Sequence, residues 1–313
     1  MFDCPSGSPP AAGPFAAIRG FNYQPSWDFS GHVIWRQFQA DLMKVELGRG
    51  KKYFPRINTV RLWLSFDASI GEPKRVAANF ESALEIASEH DLRIIPVLFN
   101  NWHSVPDFGG ISLEMVRYWS NRQHKTIPAN VFDPYLAELV GRHTEDPRVV
   151  AWDLCNEPFN SGEDPTYVEW LTWVCGRCKE LGTKAPIGVS LAPDIRQTKV
   201  FEPISDILMI HPYGNQSYLD DALHLGVQTG KPVLVTECCW GHVDDFERGC
   251  ITERELTAIR KAGIGFLAHV LHHSLVADCH REQYGPVSTA GFMAFIEADG
   301  TLRKHRDVFN HFT

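Results

Sequence analysis

The stretch VVAWDLCNEP, residues 149–158, is a short apolar run that ends in an asparagine and a glutamate. A second stretch, VLVTECCW at residues 233–240, has the same form and places Glu237 near its end. Neither run alternates apolar with polar residues as a strand with one wet face does. Continuous apolar runs of this length are typical of parallel strands covered on both faces. Both stretches therefore predict an α/β fold with a parallel sheet.

The same rhythm of apolar strand, loop and amphipathic helix continues in both directions along the chain. Strand candidates lie at residues 17–22, 58–64, 93–99, 149–155, 187–191, 207–211, 232–237 and 263–271. Helix candidates lie at residues 35–47, 79–90, 131–143, 167–181, 253–262 and 302–312. Repeated strand–helix units with right-handed crossovers close most readily into a (β/α)8 TIM barrel. We predict one barrel domain over residues 15–313, preceded by a flexible segment at residues 1–14.

Composition narrows the range of partners. The chain has 313 residues and a formal net charge of −8. An acidic protein is poorly suited to bind nucleic acid or an anionic membrane surface, so we expect neither as a partner. There is no apolar run of the roughly 20 residues that a membrane helix needs. These properties suit a neutral small-molecule or polymer substrate.

Eight cysteines occur without the spacing of a small disulfide-stabilised domain. We interpret most of them as buried thiols in a reducing compartment, although Cys175 and Cys178 form a CxxC pair that leaves a structural zinc open. The N-terminus lacks the basic start and apolar core of a signal peptide. The sequence therefore predicts a cytoplasmic protein, or a secreted one if a leader has been removed.

Barrel enzymes carry their chemistry at the carboxyl ends of the strands. There the fourth strand has Glu157 and the seventh has Glu237. An acidic side chain ending a buried strand is costly without a partner, and salt bridges at the rim are the simplest explanation for one such residue. Two of them across one barrel mouth suit glycosidic cleavage, in which one carboxylic acid protonates the leaving oxygen and one carboxylate attacks the anomeric carbon.

Other side chains at strand ends are candidates for substrate binding or for holding Glu237 ionised. Arg61, His211 and Tyr213 can supply positive potential and hydrogen bonds to a carboxylate. Aromatic rings stack on the C–H faces of sugars, so tryptophans that follow strand ends suggest subsites. The full set of predicted substrate-binding residues is Arg61, Asn101, Trp102, His103, Asn156, His211, Tyr213, Trp240 and His272.

Together these motifs resemble clan A of the glycoside hydrolases, and most closely its family 5 of cellulases and mannanases. The triplet Asn156-Glu157-Pro158 resembles the acid/base signature of that clan, and the strand of Glu237 is similar to its nucleophile strand. The segment FNNWHSVPDFGG at residues 99–110 is similar to a segment of endo-β-mannanases. The resemblance implies Glu157 as acid/base and Glu237 as nucleophile.

The resemblance also implies roles for the neighbouring residues. Tyr213 would donate a hydrogen bond to the nucleophile, and Arg61 corresponds to the arginine on the second strand. Asn156 would bind the sugar 2-hydroxyl, and His211 would line the −1 subsite.

The sequence departs from the family pattern at two places near the reacting sugar. Family members usually have a tryptophan at the end of strand eight, whereas this strand reads GFLAHVLHHS, with His272 or His273 near that place. The seventh strand ends in ECCW in place of the commoner EFG or EWG. Both changes lie next to the sugar that reacts, so they leave the identity of that sugar open and not the mechanism.

We therefore expect a retaining glycosidase acting on β-linked gluco- or manno-configured saccharides, with no cofactor. An exo-acting enzyme or transglycosylase of the same clan, and an inactive glycan-binding barrel, remain alternatives. Histidines 269, 272, 273 and 280 raise the further alternative of a metal-dependent hydrolase, although they crowd one strand. Asp194 is either a substrate contact or a helix N-cap.

Overall fold

The structure is a computed structural model, and it describes residues 13–101, 111, 113–120, 131–160, 162–276 and 293–313. Eight parallel strands form a closed barrel in sequence order, β1-β2-β3-β4-β5-β6-β7-β8. The predicted TIM barrel is thus confirmed, and residues 1–12 of the predicted flexible segment lie outside the described residues. The strands are β1 Arg19–Tyr23, β2 Thr59–Trp63, β3 Arg93–Asn100, β4 Trp152–Asn156, β5 Ile187–Leu191, β6 Leu208–Ile210, β7 Val233–Val235 and β8 Gly265–Ala268.

The register of the strands brings polar residues of different strands together near the barrel mouth. Asn22 on β1 pairs with Arg61 on β2. Farther round the barrel, Asn156 on β4 pairs with Asn100 on β3 and with Ser190 on β5. The strand register therefore pairs polar residues in two groups, one on β1 and β2 and the other on β3 to β5.

Helices cover the outside of the barrel. They are α1 Gly31–Arg36, α2 Ala40–Tyr53, α3 Phe66–Ser69, α4 Pro73–Glu89, α5 Leu113–Ser120, α6 Asp133–Leu139, α7 Pro165–Glu180, α8 Ile195–Phe201, α9 Gln216–Thr229 and α10 Asp245–Ala262. Several begin at side-chain caps that satisfy free backbone amides. Asp244 accepts a hydrogen bond from the Glu247 amide at the start of α10, and Gly263 with φ +72° is the C-cap after its last residue.

Asp194 caps α8 by accepting from the Arg196 amide, so the N-cap interpretation of this residue is confirmed.

Three predicted helices were wrong in their extent. The predicted helix 35–47 is broken at residues 37–39 into α1 and α2, and α2 continues to Tyr53. The predicted helix 302–312 is a 3-10 helix over Arg306–Phe312 only. The pattern at 253–262 finds only the second half of α10, because the buried residues of its first half include Arg248. A buried arginine breaks the apolar periodicity on which such predictions rest.

Two hydrophobic clusters stabilise the fold. The larger one packs the outer faces of the strands against the helices, and its fully buried members include Trp35, Trp152 and Trp170. The smaller one consists of strand and strand-flanking residues, among them Ile95, Met209 and Leu267, and we interpret it as the packing inside the barrel.

The cysteines are mostly buried. Cys155, Cys175, Cys178, Cys238 and Cys239 are buried free thiols, Cys250 is exposed, and Cys4 and Cys279 lie outside the described residues. Burial raises the pKa of both Cys175 and Cys178, which favours the thiol form at this CxxC pair. Among the described residues, no helix is long and apolar enough to cross a membrane.

Candidate active site

Glu157 and Glu237 meet at the mouth of the barrel. A carboxylate oxygen of Glu157 and one of Glu237 lie within 4.8 Å of each other, and both also lie within that distance of a ring nitrogen of His211. The relative exposures of the two residues are only 7% and 6%. Inverting glycosidases need a wider gap of about 6.5–9.5 Å for a water molecule, whereas retaining ones need about 5–5.5 Å. This spacing fits the retaining geometry.

Arg61 lies at the centre of the site and is fully buried. Its Nη1 atom lies 2.5 Å from Oε1 of Glu237, and its Nη2 atom lies 2.8 Å from Oδ2 of Asp153. The same guanidinium donates to Asn22, Asn156 and Ser190 at 2.7–2.9 Å. Burial opposes its charge, but the carboxylates of Asp153 and Glu237 keep the pKa of Arg61 above its ordinary value. Arg61 is therefore a fixed cation beside the carboxylate of Glu237.

Glu237 receives hydrogen bonds from two sides. Arg61 contacts one carboxylate oxygen, and the hydroxyl of Tyr213 donates to the other. Tyr213 is held in the loop after β6 with φ +41°, a conformation uncommon for a residue other than glycine. The two contacts fix both oxygens of the Glu237 carboxylate in place. The arrangement suits Glu237 as a nucleophile.

Glu157 has a different environment. Its backbone amide donates to the carbonyl of Ser190 at 2.9 Å, and its φ of +44° turns the residue at the end of β4. Its Oε1 atom lies 2.8 Å from Nδ1 of His211. Burial is the largest effect on His211 and lowers its pKa to about 4, so the imidazole is neutral near neutral pH. Glu157 therefore faces a neutral ring, while Glu237 faces a cation, which is the asymmetry that an acid and a nucleophile require.

Two asparagines support this edge of the site. Asn156 accepts from Arg61 through Oδ1 and donates to Oδ1 of Asn100 at 3.0 Å. Asn101 is fully buried and donates to the carbonyl of Pro158 at 2.6 Å. The placement of Asn101 makes it a support for the turn after Glu157, in place of the predicted substrate contact. Asn156 is slightly exposed and stays a candidate for substrate binding.

Trp240 is the aromatic candidate that the structure describes at this mouth. Its ring is partly buried and packs edge-on against Tyr213, with 4.9 Å between ring centroids. The predicted contacts Trp102 and His103 lie outside the described residues. Trp27 is partly buried, and its ring nitrogen donates to the carbonyl of Ile34 at 3.3 Å.

His272 was wrongly placed at the reacting sugar. Its Nε2 atom lies 3.1 Å from Nη1 of Arg49, and its Nδ1 atom lies 3.7 Å from Oε1 of Glu46, so it packs against α2. The reason is the length of β8, which ends at Ala268 and makes His269 the first residue beyond the strand. The His269 ring packs edge-on against Trp63 with 5.9 Å between centroids. His269 is also one of the groups that lower the pKa of His211.

Several residues that build the site are not among the predicted ones, and Asp153 is the most important of them. It is fully buried on β4 and pairs with Arg61. Its signal was visible in the sequence, because an aspartate within an apolar strand needs a cationic partner and Arg61 is the buried cation of β2. Asn22 and Ser190 are also fully buried and bind the same guanidinium.

Two groups of described residues have ligand atoms close enough to hold a metal ion. In one, Arg61 and Tyr213 already contact the carboxylate of Glu237. In the other, formed by Glu81, His143 and Asp146, Arg148 contacts both carboxylates at 2.6–2.8 Å. Cationic and hydroxyl partners on these oxygens favour acid–base chemistry in the first group and a surface ion-pair network in the second.

Comparison with known proteins agrees with the resemblance to clan A and family 5. No profile of a known protein family matches the chain. The chain is 23% identical over 196 residues to a probable mannan endo-1,4-beta-mannosidase A of Aspergillus clavatus, covering 57% of this chain and 52% of that protein. It is 28% identical over 102 residues to mannan endo-1,4-beta-mannosidase A of Hypocrea jecorina, covering 31% of this chain and 23% of that protein. The chain thus spans about half the length of the first relative and less of the second.

Solved structures show the same fold. The TM-score is 0.66 to GH5_18 from Streptomyces cattleya in complex with GlcNAc, at 14% identity and with 93% of this chain and 78% of that chain covered. It is 0.64 to the hyperthermostable endo-1,4-beta-D-mannanase of Thermotoga petrophila, at 15% identity and with 95% and 98% covered. The chain is therefore similar to family 5 glycoside hydrolases in fold over nearly its whole length.

Proposed function

We propose that this protein is a retaining glycoside hydrolase that cleaves β-linked gluco- or manno-configured oligo- or polysaccharides. The observation that carries the proposal is the placement of two carboxylates within 4.8 Å, one on the cation Arg61 and the other on the neutral ring of His211. The similarity to mannan endo-1,4-beta-mannosidases supports a β-mannan as the first substrate to test.

The reaction has two displacements. Glu237 attacks the anomeric carbon and forms a glycosyl ester, while the glycosidic C–O bond breaks and Glu157 gives its proton to the departing oxygen. Glu157, now a carboxylate, takes a proton from water, which attacks the same carbon and releases Glu237. Arg61 and Tyr213 hold the Glu237 carboxylate in position before attack and stabilise it when it leaves. The protons and electrons balance without a cofactor.

The remaining predictions follow from the same site. Carbohydrate is the partner that the proposal requires, and Asn156, Tyr213, Trp240 and His211 are the described residues expected near it. His269 lies at the end of β8, where family members usually have a tryptophan. This difference favours another sugar or another cleavage mode, with the two-carboxylate mechanism unchanged. The cytoplasmic location that the cysteines predict stays a prediction.

A substrate panel tests the proposal. Wild type and Glu237→Ala are incubated with β-mannan, glucomannan, cellulose, xylan and their short oligosaccharides, and the products are separated by chromatography. We expect wild type to release sugars and the variant to lose nearly all turnover. A ladder of products indicates endo cleavage, single sugars indicate exo cleavage, and longer products indicate transglycosylation. Equal release by both proteins contradicts the role of Glu237, and calorimetric binding without turnover indicates a glycan-binding barrel.

A further inference from the structure

The segment directly after Glu237 is held by two buried charged residues of α10. Arg248 is fully buried and Glu255 is 4% exposed, and they are seven residues apart on the helix. Seven residues make about two turns, so both side chains lie on the same face of α10. That face packs against the loop that carries Cys239 and Trp240.

Glu255 binds the amide side of this loop. Its Oε2 atom accepts a hydrogen bond from the backbone amide of Cys239 at 2.6 Å. Burial raises the pKa of Glu255, and the opposing effects come from the amides of Cys239 and Trp240 and from the cations Arg248 and Arg254. A carboxylate on backbone amides makes a charge-assisted hydrogen bond, which is stronger than a neutral one.

Arg248 binds the carbonyl side of the same loop. Its Nη1 atom donates to the carbonyl of Trp240. Its Nη2 atom donates to the carbonyls of His269 and Met293, at 2.9 and 3.0 Å. One guanidinium thus ties the loop after β7 to the end of β8 and to the segment that returns at Met293.

The loop after β6 lies against the same carboxylate. Gly214 has φ +79°, and a methyl group added there would lie 3.3 Å from Oε1 of Glu255. Tyr213, the residue before it, donates to Glu237 and packs on Trp240. Tyr213 and Cys239 both have positive φ values, +41° and +67°. Such conformations persist only where the surroundings hold them.

We propose that Glu255 and Arg248 are positioning residues that grip the Cys239–Trp240 segment from opposite polar sides and so fix Glu237 relative to the Tyr213 hydroxyl. The inference rests on the proposed function, because it concerns the reactivity of the same Glu237. Both residues contact backbone atoms of the segment that follows Glu237. The grip acts on geometry at the nucleophile, so its loss lowers the rate of attack more than it weakens binding of the sugar.

The decisive variant is Glu255→Gln, which keeps the size of the side chain and removes its charge. The matched control is Glu46→Gln. Glu46 is also a buried glutamate, but it is bound by the hydroxyls of Tyr23 and Ser26 and not by the loops after β6 and β7. We measure kcat and KM on the substrate that wild type cleaves, the thermal midpoint of each protein, and amide hydrogen exchange of a peptide covering residues 236–241.

We expect Glu255→Gln to lose about 10-fold or more in kcat with KM changed by less than about twofold, while Glu46→Gln keeps kcat within about twofold. Exchange at residues 238–240 should be faster in Glu255→Gln alone. Arg248→Lys should retain more kcat than Arg248→Met, because lysine keeps the charge although it cannot reach three carbonyls as guanidinium does. The two Arg248 variants still test the proposal if Glu255→Gln fails to fold.

The outcomes separate the two proposals. If wild type is active and Glu255→Gln matches Glu46→Gln in kcat and in exchange, the grip is contradicted. Faster exchange with an unchanged kcat also contradicts a positioning role. If wild type cleaves nothing in the panel, the proposed function fails, and hydrogen exchange alone decides whether Glu255 holds the loop.

Discussion

The Nη1 atom of Arg61 lies 2.5 Å from Oε1 of Glu237, on a guanidinium that is fully buried and also bound to Asp153. This relationship joins stability to chemistry, because one cation compensates a structural carboxylate and a reactive one. Removing the cation leaves two buried acids without the positive charge that compensates them.

Arg61→Met should therefore impair both folding and activity. We expect the free energy of unfolding to fall by about 3–5 kcal/mol, as for a buried ion pair that loses one member. Urea denaturation measures this change. Arg148→Met is the control, since Arg148 also pairs with two acids, Asp146 and Glu81, but is partly exposed and remote from the site. An equally small loss in both variants would contradict the compensating role of Arg61.

Tyr213→Phe should slow the reaction without preventing folding. The variant removes the hydroxyl that donates to Glu237 and keeps the ring that packs on Trp240. We expect kcat to fall about 10- to 100-fold, which corresponds to about 1.4–2.7 kcal/mol, with KM nearly unchanged. Tyr218→Phe is the matched control, because its hydroxyl bonds Thr198 on α8 and contacts neither carboxylate. Equal kinetics for the two variants would refute the assignment.

Glu157→Ala should show which substrates need a proton donor. We expect a loss of about 100-fold or more on natural oligosaccharides, where the leaving oxygen must be protonated. The rate of the first displacement should fall much less on an aryl glycoside, because its phenolate leaves without a proton. Added azide should restore the second displacement by attacking in place of the activated water. Glu237→Ala should lose activity on both substrates. If Glu157→Ala loses both equally and azide does nothing, Glu157 is not the acid/base.

Glu46 should make stability depend on pH. Burial, the largest effect, raises its pKa from 4.5 to about 7. Between these values the folded protein holds a proton that the unfolded chain has lost, so stability falls as pH rises through this window and changes no further above it. The contribution is about 3 kcal/mol for a shift of this size.

Urea denaturation at pH 5 and pH 8 checks this expectation. Glu46→Gln should lose less stability than wild type between the two values, whereas Glu85→Gln on the exposed side of α4 should behave as wild type does. The same pH dependence in all three proteins would show that another group is responsible.

The sequence predicted the barrel and the two carboxylates because both depend on local patterns. Apolar runs identify the strands, and Glu157 and Glu237 follow directly from where two of those runs end. The end of β8 could not be located in this way, since the apolar run continues to Leu271 although pairing stops at Ala268. Because of this difference of three residues, the histidine predicted at the end of strand eight was His272, whereas the structure has His269 there.

The supports of the site were harder to find because they are non-local. Arg248 and Glu255 lie on a helix and bind backbone atoms, which carry no sequence signal. Asp153 and Ser190 belong to the neighbouring strands β4 and β5, and Arg61 reaches both of them from β2. A buried polar residue in an apolar run shows that a partner exists, but the partner is determined by the closure of the barrel.

The proposed mechanism requires that Glu237 attacks the sugar. It is tested most directly by incubating the protein with an activated 2-deoxy-2-fluoro β-mannoside or β-glucoside, then measuring intact mass and mapping the labelled peptide. The fluorine slows both displacements, and the activated leaving group lets the first one proceed, so the glycosyl-enzyme accumulates. We predict one added glycosyl group, on the peptide that contains Glu237, with none on Glu237→Ala. An adduct on another residue, or turnover of these glycosides with no adduct, would contradict the account.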